Sequence, residues 1–180
     1  MSLGLAVALG ASLSLGVAAT QVSAAAKNEG TAVVSQRVKV YELLTKDGGY
    51  FYTASESEKD LAITSRGWTV TKTPLYYLSP VPFAGGKPLY RLRWSKKASY
   101  IVTASITERD RLVDSGAFRN DGVLGYAPGS TDAGGDVKVF RLSSNGRWRL
   151  AVEAHKNNIL INEPGWELNG SLLYQFKQAG

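Results

Sequence analysis

The chain has 180 residues with 44% hydrophobic content, no cysteine and a formal net charge of +6. That length builds one ordinary core and not two, and the lack of cysteine excludes a disulfide-stapled scaffold or a thiolate metal site. The excess of 21 basic over 15 acidic residues suits anionic partners such as wall polymers, acidic glycans or lipid headgroups, and equally suits plain solubility.

Residues 1–24 carry no charge, and Leu3 to Ala19 reads LGLAVALGASLSLGVAA. Val22-Ser23-Ala24 sets small residues where a signal peptidase reads them, so residues 1–24 are expected to be a secretory signal peptide. No basic residue precedes the apolar run, which keeps a retained N-terminal membrane anchor as the alternative. Its Ala, Gly and Ser content makes the run only weakly apolar for a spanning helix. Export would leave nucleic acid an unsuitable partner despite the charge. Residues 25–37 read as a short leader with no clear period.

The rest of the chain repeats itself three times. An aromatic followed by a tyrosine recurs at a period of about fifty residues: Trp68 and Tyr76, Phe118 and Tyr126, Trp166 and Tyr174. The repeats run over about 38–83, 88–132 and 137–177, each of roughly 47 residues, joined by SPVPFAGGK and PGSTDAGGD. A single domain over 38–180 is expected, since units of this kind bury a shared core.

Within each repeat the order of signals is the same. VKVYELL, PLYRLRW and VKVFRLS alternate β-branched and aromatic residues and read as strands. After a polar loop, YFYTA, YIVTA and WRLAV read as second strands. Arg149 marks their wetter face, which would also hold Phe51 and Ile101. Ser55 with Glu58, and Ser105 with Glu108, match the capping box of a short helix. The third repeat has Lys156 in place of that glutamate, so its helix is expected to be degraded to a turn or replaced by strand. Asp121-Gly122 and Asn169-Gly170 read as hairpin turns, giving four strands per repeat. The fold class is mainly β: a pseudo-threefold, β-trefoil-like domain with a short helix inserted in each repeat, degenerate in the third. A propeller-like array is the alternative.

The chain resembles a family of tandem repeats of unknown function in secreted bacterial proteins, whose pattern is close to Y-R-L, H-F-Y-T, E-R-D, G-W, E-G. Tyr90-Arg91-Leu92, Phe51-Tyr52-Thr53, Glu108-Arg109-Asp110, Gly67-Trp68 and Gly165-Trp166 carry the likeness. Tyr50, Tyr100 and Trp148 stand where the pattern most often has histidine, so no role of that imidazole transfers. The resemblance implies secretion and a repeat architecture, and no chemistry.

Catalytic signals are absent. His155 is the sole histidine and reads as a solvent-facing turn residue, and no HExxH, GxSxG or phosphate loop occurs. Neither an enzyme nor a cofactor is expected. The recurring aromatics belong to the core, so function is sought where one repeat departs from its siblings. Trp94 departs most, being Thr45 and Ser144 elsewhere, with Arg91, Lys96 and Lys97 near it in sequence. These four form the expected ligand site, an indole face with cationic flanks; a tryptophan packed under its own loop is the competing reading. The expected function is a secreted, monomeric, non-catalytic module binding a glycan or an anionic cell-wall polymer. The alternative is a protein-interaction or hydrolase-inhibitor domain presenting PGSTDAGGD to a secreted protein.

Overall fold

The computed structural model describes residues 36–180; the expected signal peptide and nearly all of the leader lie outside these. The first strands form where the β-branched and aromatic runs stand: β1 (Val38–Lys39), β2 (Tyr41–Leu44) and β3 (Tyr50–Thr53). Helix α1 (Glu56–Arg66) follows, then β4 (Thr69–Val70) and β5 (Tyr77–Leu78). The next segment holds β6 (Gly86–Trp94), β7 (Tyr100–Thr103), α2 (Ile106–Asp114) and β8 (Phe118–Pro128). The last holds β9 (Val137–Ser144), β10 (Arg147–Val152), α3 (Glu153–Asn162) and β11 (Glu167–Gln175). The fold is mainly β with three short helices among the described residues.

Three antiparallel sheets share one topology, β3-β2-β4, β7-β6-β8 and β10-β9-β11. In each, the first long strand is central, its hairpin partner lies on one side, and the strand after the helix returns on the other. A β1-β5 pair continues the first sheet as the outer halves of β6 and β8 continue the second.

Asp121-Gly122 and Asn169-Gly170 do not turn the chain. Both lie inside continuous strands at register shifts, where Gly122 (φ 98°) and Gly170 (φ 131°) adopt backbone that other residues avoid. The extra residue is absorbed as a β-bulge, because the partner strand continues on both sides and there is nothing for a hairpin to fold back on. The bulge places Asp121 beside Arg91, and Asn169 beside Arg141.

Ser55 Oγ accepts from the Glu58 amide at 3.2 Å, and Gly67 (φ 64°) ends α1 in the left-handed region. Ser105 caps α2 in the same way. The third helix, expected to be lost, is present over Glu153–Asn162 without any side-chain cap. Ile159 is fully buried in the core and Lys156 lies over the Phe140 ring, so tertiary packing holds what the missing cap does not.

Tyr52, Val102 and Leu150, together with Val40, Leu89 and Val139, meet in one central cluster, and β3, β7 and β10 each contact the other two. Phe51 and Ile101, expected on a wetter face, are each only 4% exposed. Their side of the hairpin is roofed by α1 with Trp68, and by α2 with Phe118. Helix insertion therefore gives the first two sheets a second buried face. In the third sheet that position is Arg149.

The anchor aromatics run in a ring. Trp68 packs edge-on against Tyr100 at 6.1 Å, Phe118 against Trp148 at 5.3 Å, and Trp166 against Tyr50 at 5.9 Å. Each sheet's anchor thus meets an aromatic in the first two residues of the second strand of the next sheet, and the last closes on the first.

Candidate functional site

Charged side chains stitch neighbouring sheets together. Arg91 on β6 donates from Nη1 to Tyr52 O at 2.7 Å, and from both terminal nitrogens to Glu58 of α1 at 2.8–2.9 Å. Arg141 on β9 makes the same set, to Val102 O at 3.1 Å and to Glu108 of α2 at 2.8–2.9 Å. A planar guanidinium matches a carboxylate in this bidentate way, and a strand carbonyl takes the spare proton. Arg91 Nε also donates to Asp121 Oδ2 at 2.8 Å.

The glutamates are therefore not completing a capping box. The Ser55 and Ser105 amides donate to the Thr53 and Thr103 hydroxyls, each of which donates to the glutamate. A threonine hydroxyl has taken the carboxylate's usual place and left it free to hold arginine. The bonds from Arg141 hold the Glu108 carboxyl below its ordinary pKa against the opposing effect of burial. Burial is the largest influence on Glu58 and opposes ionisation, yet its bonds to Arg91 and Thr53 together keep its pKa low.

At the junction between the third sheet and the first, the charges are reversed. Glu42 occupies the place of Arg91 and Arg141 and is 3% exposed. It accepts from Tyr52 Oη at 2.7 Å, from Thr71 Oγ1 at 2.9 Å, from Thr73 and from Arg149 Nη2. Tyr52 Oη in turn accepts from the Leu150 amide, and burial with the Glu42 charge drives its pKa well up.

His155 belongs to this junction. It stands three residues after the N-cap Val152, as Glu58 and Glu108 stand three after Ser55 and Ser105. Lys156 lies over Phe140 as Lys59 lies over Tyr41 and Arg109 over Tyr90. The third helix is thus one residue out of step with the sequence alignment, and His155, not Lys156, replaces the glutamate. It is half-buried and not a solvent-facing turn residue; its Nδ1 is buried without a partner, and burial and Arg149 lower its pKa.

Two open clefts follow from the first two junctions. One, of about 360 Å³, lies between Thr53, Ser55, Glu58, Arg91 and the strand from Val123 to Tyr126. Its counterpart, of about 320 Å³, lies between Thr103, Ser105, Glu108, Arg141, Lys87 and the strand from Asn169 to Leu173. Hydroxyls, an amide and cations converge there over apolar Leu172 and Leu173, the mixture small-molecule sites use. No cluster of metal-ligating side chains occurs among the described residues.

The four expected site residues do not come together. Arg91 is 8% exposed, saturated by Glu58 and Asp121, and lies three positions from Trp94, hence on the opposite face of β6. Lys96 and Lys97 do flank the indole, at 5.7 and 5.5 Å from its ring. Trp94 is half-buried, packs perpendicular to Trp148 at 5.7 Å, and reaches over Gly146, where a Cβ would lie 2.4 Å from the ring. Sequence reasoning missed Arg141, Lys87 and Asn169. The signal was present: an arginine recurs at 91 and 141 and a glutamate at 58 and 108, each pair in register.

The PGSTDAGGD connector is tied down. The Gly135 amide donates to Ser130 O, Asp136 accepts from the Lys177 amide, and a Cβ on Gly135 would meet Tyr174 at 2.6 Å. No helix among the described residues is long and apolar enough to cross a membrane.

No curated protein and no solved structure matches the chain. The family described as a domain of unknown function (DUF5648) matches residues 36–176, which span all three sheets and both clefts, and the chain belongs to that family.

Proposed function

We propose that this protein is a secreted, non-catalytic binding module, that its three repeats form a pseudo-threefold, β-trefoil-like domain, and that it recognises carbohydrate or an anionic cell-wall polymer. The closed ring of anchor aromatics and the mutual contact of β3, β7 and β10 support the threefold arrangement. The observation that carries the binding function is the cleft between the second and third sheets. It sets the Ser105 and Ser171 hydroxyls, the Asn169 amide and the Lys87 ammonium around an apolar floor, which is how a site holds the edges and faces of a sugar ring.

Binding is tested by calorimetric titration of oligosaccharides, neutral and acidic, into the purified protein and into Ser171→Trp. The bulky indole should fill the cleft and abolish binding with little change in melting temperature, because Ser171 is exposed on β11. Undiminished affinity in that variant would place any binding elsewhere, with the half-buried Trp94 and its two lysines as the next surface to vary.

A further inference from the structure

The two clefts are built alike and differ at one bond. In the cleft between the first and second sheets, all three nitrogens of Arg91 are engaged, Nε by Asp121. In the cleft between the second and third sheets, Arg141 repeats every bond except that one, and its Nε is buried without a partner. The register explains why. Asn120 faces Leu92 and Leu168 faces Leu142, so the next residue, Asp121 in one strand, is Asn169 in the other. Asn169 does not substitute for the carboxylate: its Nδ2 is turned to Ser143 Oγ at 2.8 Å. A second exchange points the same way. Lys87, exposed, lines this cleft three residues before Tyr90, where the sister cleft has Val38 three residues before Tyr41. At one junction, therefore, the arginine Nε already holds a carboxylate from the return strand and the cleft beside it has no lysine; at the other the Nε holds none, and the cleft is lined by Lys87 and Asn169.

A buried guanidinium N–H without a protein acceptor carries a desolvation cost that native structures offset with an ordered water, an ion or a ligand. Arg149 Nε is also without a protein acceptor, but only Arg141 has a sister, Arg91, whose Nε holds a carboxylate. We infer that the cleft between the second and third sheets is a carboxylate subsite, in which the acidic group of a uronic-acid-bearing polymer takes on Arg141 Nε the place that Asp121 takes on Arg91. This deepens the binding function proposed above and rests on it. Asp121 reaches its arginine from the bulge of the return strand, so the ligand oxygen enters from the position of Asn169 once that side chain swings aside on its exposed bond to Ser143. Lys87 supplies the second positive charge at the cleft, and Ser105 and Ser171 take the sugar hydroxyls.

Exchanging the two bulge residues tests this. Trigalacturonate, its methyl ester and poly(glycerol phosphate) are titrated by calorimetry into the full protein, Asn169→Asp and Asp121→Asn. The native protein should bind one trigalacturonate and bind the ester at least about tenfold more weakly, the loss of one charge-assisted hydrogen bond. Asn169→Asp should melt higher than the native protein and lose the preference for acid over ester, because the cleft then holds its own carboxylate. Asp121→Asn, if it remains folded by circular dichroism, should raise the stoichiometry from one to two. Equal binding of acid and ester, a preference for the phosphate polymer, or an unaltered preference in Asn169→Asp would each overturn the carboxylate subsite. If neutral oligosaccharides bind and Ser171→Trp blocks them while trigalacturonate gains nothing, the binding module stands and the subsite alone falls. If no sugar binds at all, both fall.

Discussion

Replacing Glu108 by Gln removes the carboxylate that joins α2 of the second sheet to Arg141 of the third while keeping its shape. One of the two charge-assisted hydrogen bonds is lost to the new NH2 donor and the other becomes a bond to a neutral amide oxygen, the Thr103 hydroxyl loses a charged acceptor, and the Arg141 guanidinium is left without a counter-charge. Removing one partner of a buried ion pair costs about 3–5 kcal/mol, mainly through the charge left behind. The side chains here are 15% and 23% exposed, so solvent recovers part of this, and a loss of about 2–3 kcal/mol is expected. For a domain of this size that corresponds to a melting temperature lower by about 5–10 °C. Urea denaturation at neutral pH of Glu108→Gln, Arg141→Met and the double variant measures it. The double variant should lose less than the sum of the singles, because the second change removes the stranded charge. The pH dependence carries a matching sign. The Glu108 pKa is lowered on folding from about 4.5, so its contribution is complete above that value and is lost as pH falls through the folded value. Glu108→Gln should flatten the acid limb of the stability curve. A loss below about 0.5 kcal/mol, or strict additivity, would mean that this contact is an ordinary surface ion pair and that the junction is held by apolar packing alone.

Trp94→Ala should cost about 2–3 kcal/mol in chemical denaturation, at the low end for large-to-small changes because the ring is half-buried; an unchanged stability would show that the indole is not part of the fold. Gly146→Ala strains a left-handed residue (φ 71°) and drives a methyl into the same ring, so it should destabilise by at least about 1 kcal/mol, read by the same assay. Tyr52→Phe takes one donor from buried Glu42 and strands the Leu150 amide, with a loss of about 2–4 kcal/mol, and a near-neutral result would contradict the bonding at that junction. His155 has its pKa lowered on folding, so the unfolded chain binds the proton more readily; stability should fall as pH drops below about 6.5, and His155→Gln should remove that slope.

The first two strands of each repeat, the first two helices and the core role of Trp68, Phe118 and Trp166 were legible because they depend on local signals: alternation, a serine cap, a glycine stop, a recurring aromatic. The fourth strand expected in each repeat is not there in the second and third, where one continuous strand follows the helix. What escaped was set by partners distant in sequence. Asp121-Gly122 has the composition of a hairpin, and only the continuous β6 beside it turns the pair into a bulge. The helix after Glu153 lacks its cap, and Ile159 buried in the central core makes up for it. Phe51 and Arg149 align, yet the one is roofed by a helix and the other reaches across to Glu42, so the face they share could not be labelled wet or dry from one strand. The glutamates of the helix starts were assigned to the serines three residues away because the arginines that claim them are 33 positions further on.

The ring of Trp68 on Tyr100, Phe118 on Trp148 and Trp166 on Tyr50 has a consequence for how the domain comes apart. In an open stack of repeats the outermost unit has one neighbour, and opening starts there and runs inward. Here no unit is outermost: each presents an aromatic to one neighbour and receives one from the other. The last strand of the first segment and the residue that follows β11 are drawn into the same closure, with Tyr77 and Phe176 exchanging backbone hydrogen bonds at 3.0 Å in each direction. Fraying of any single sheet breaks two of these contacts at once, so amide exchange in β3, β7 and β10 should share a single opening free energy equal to that of global unfolding.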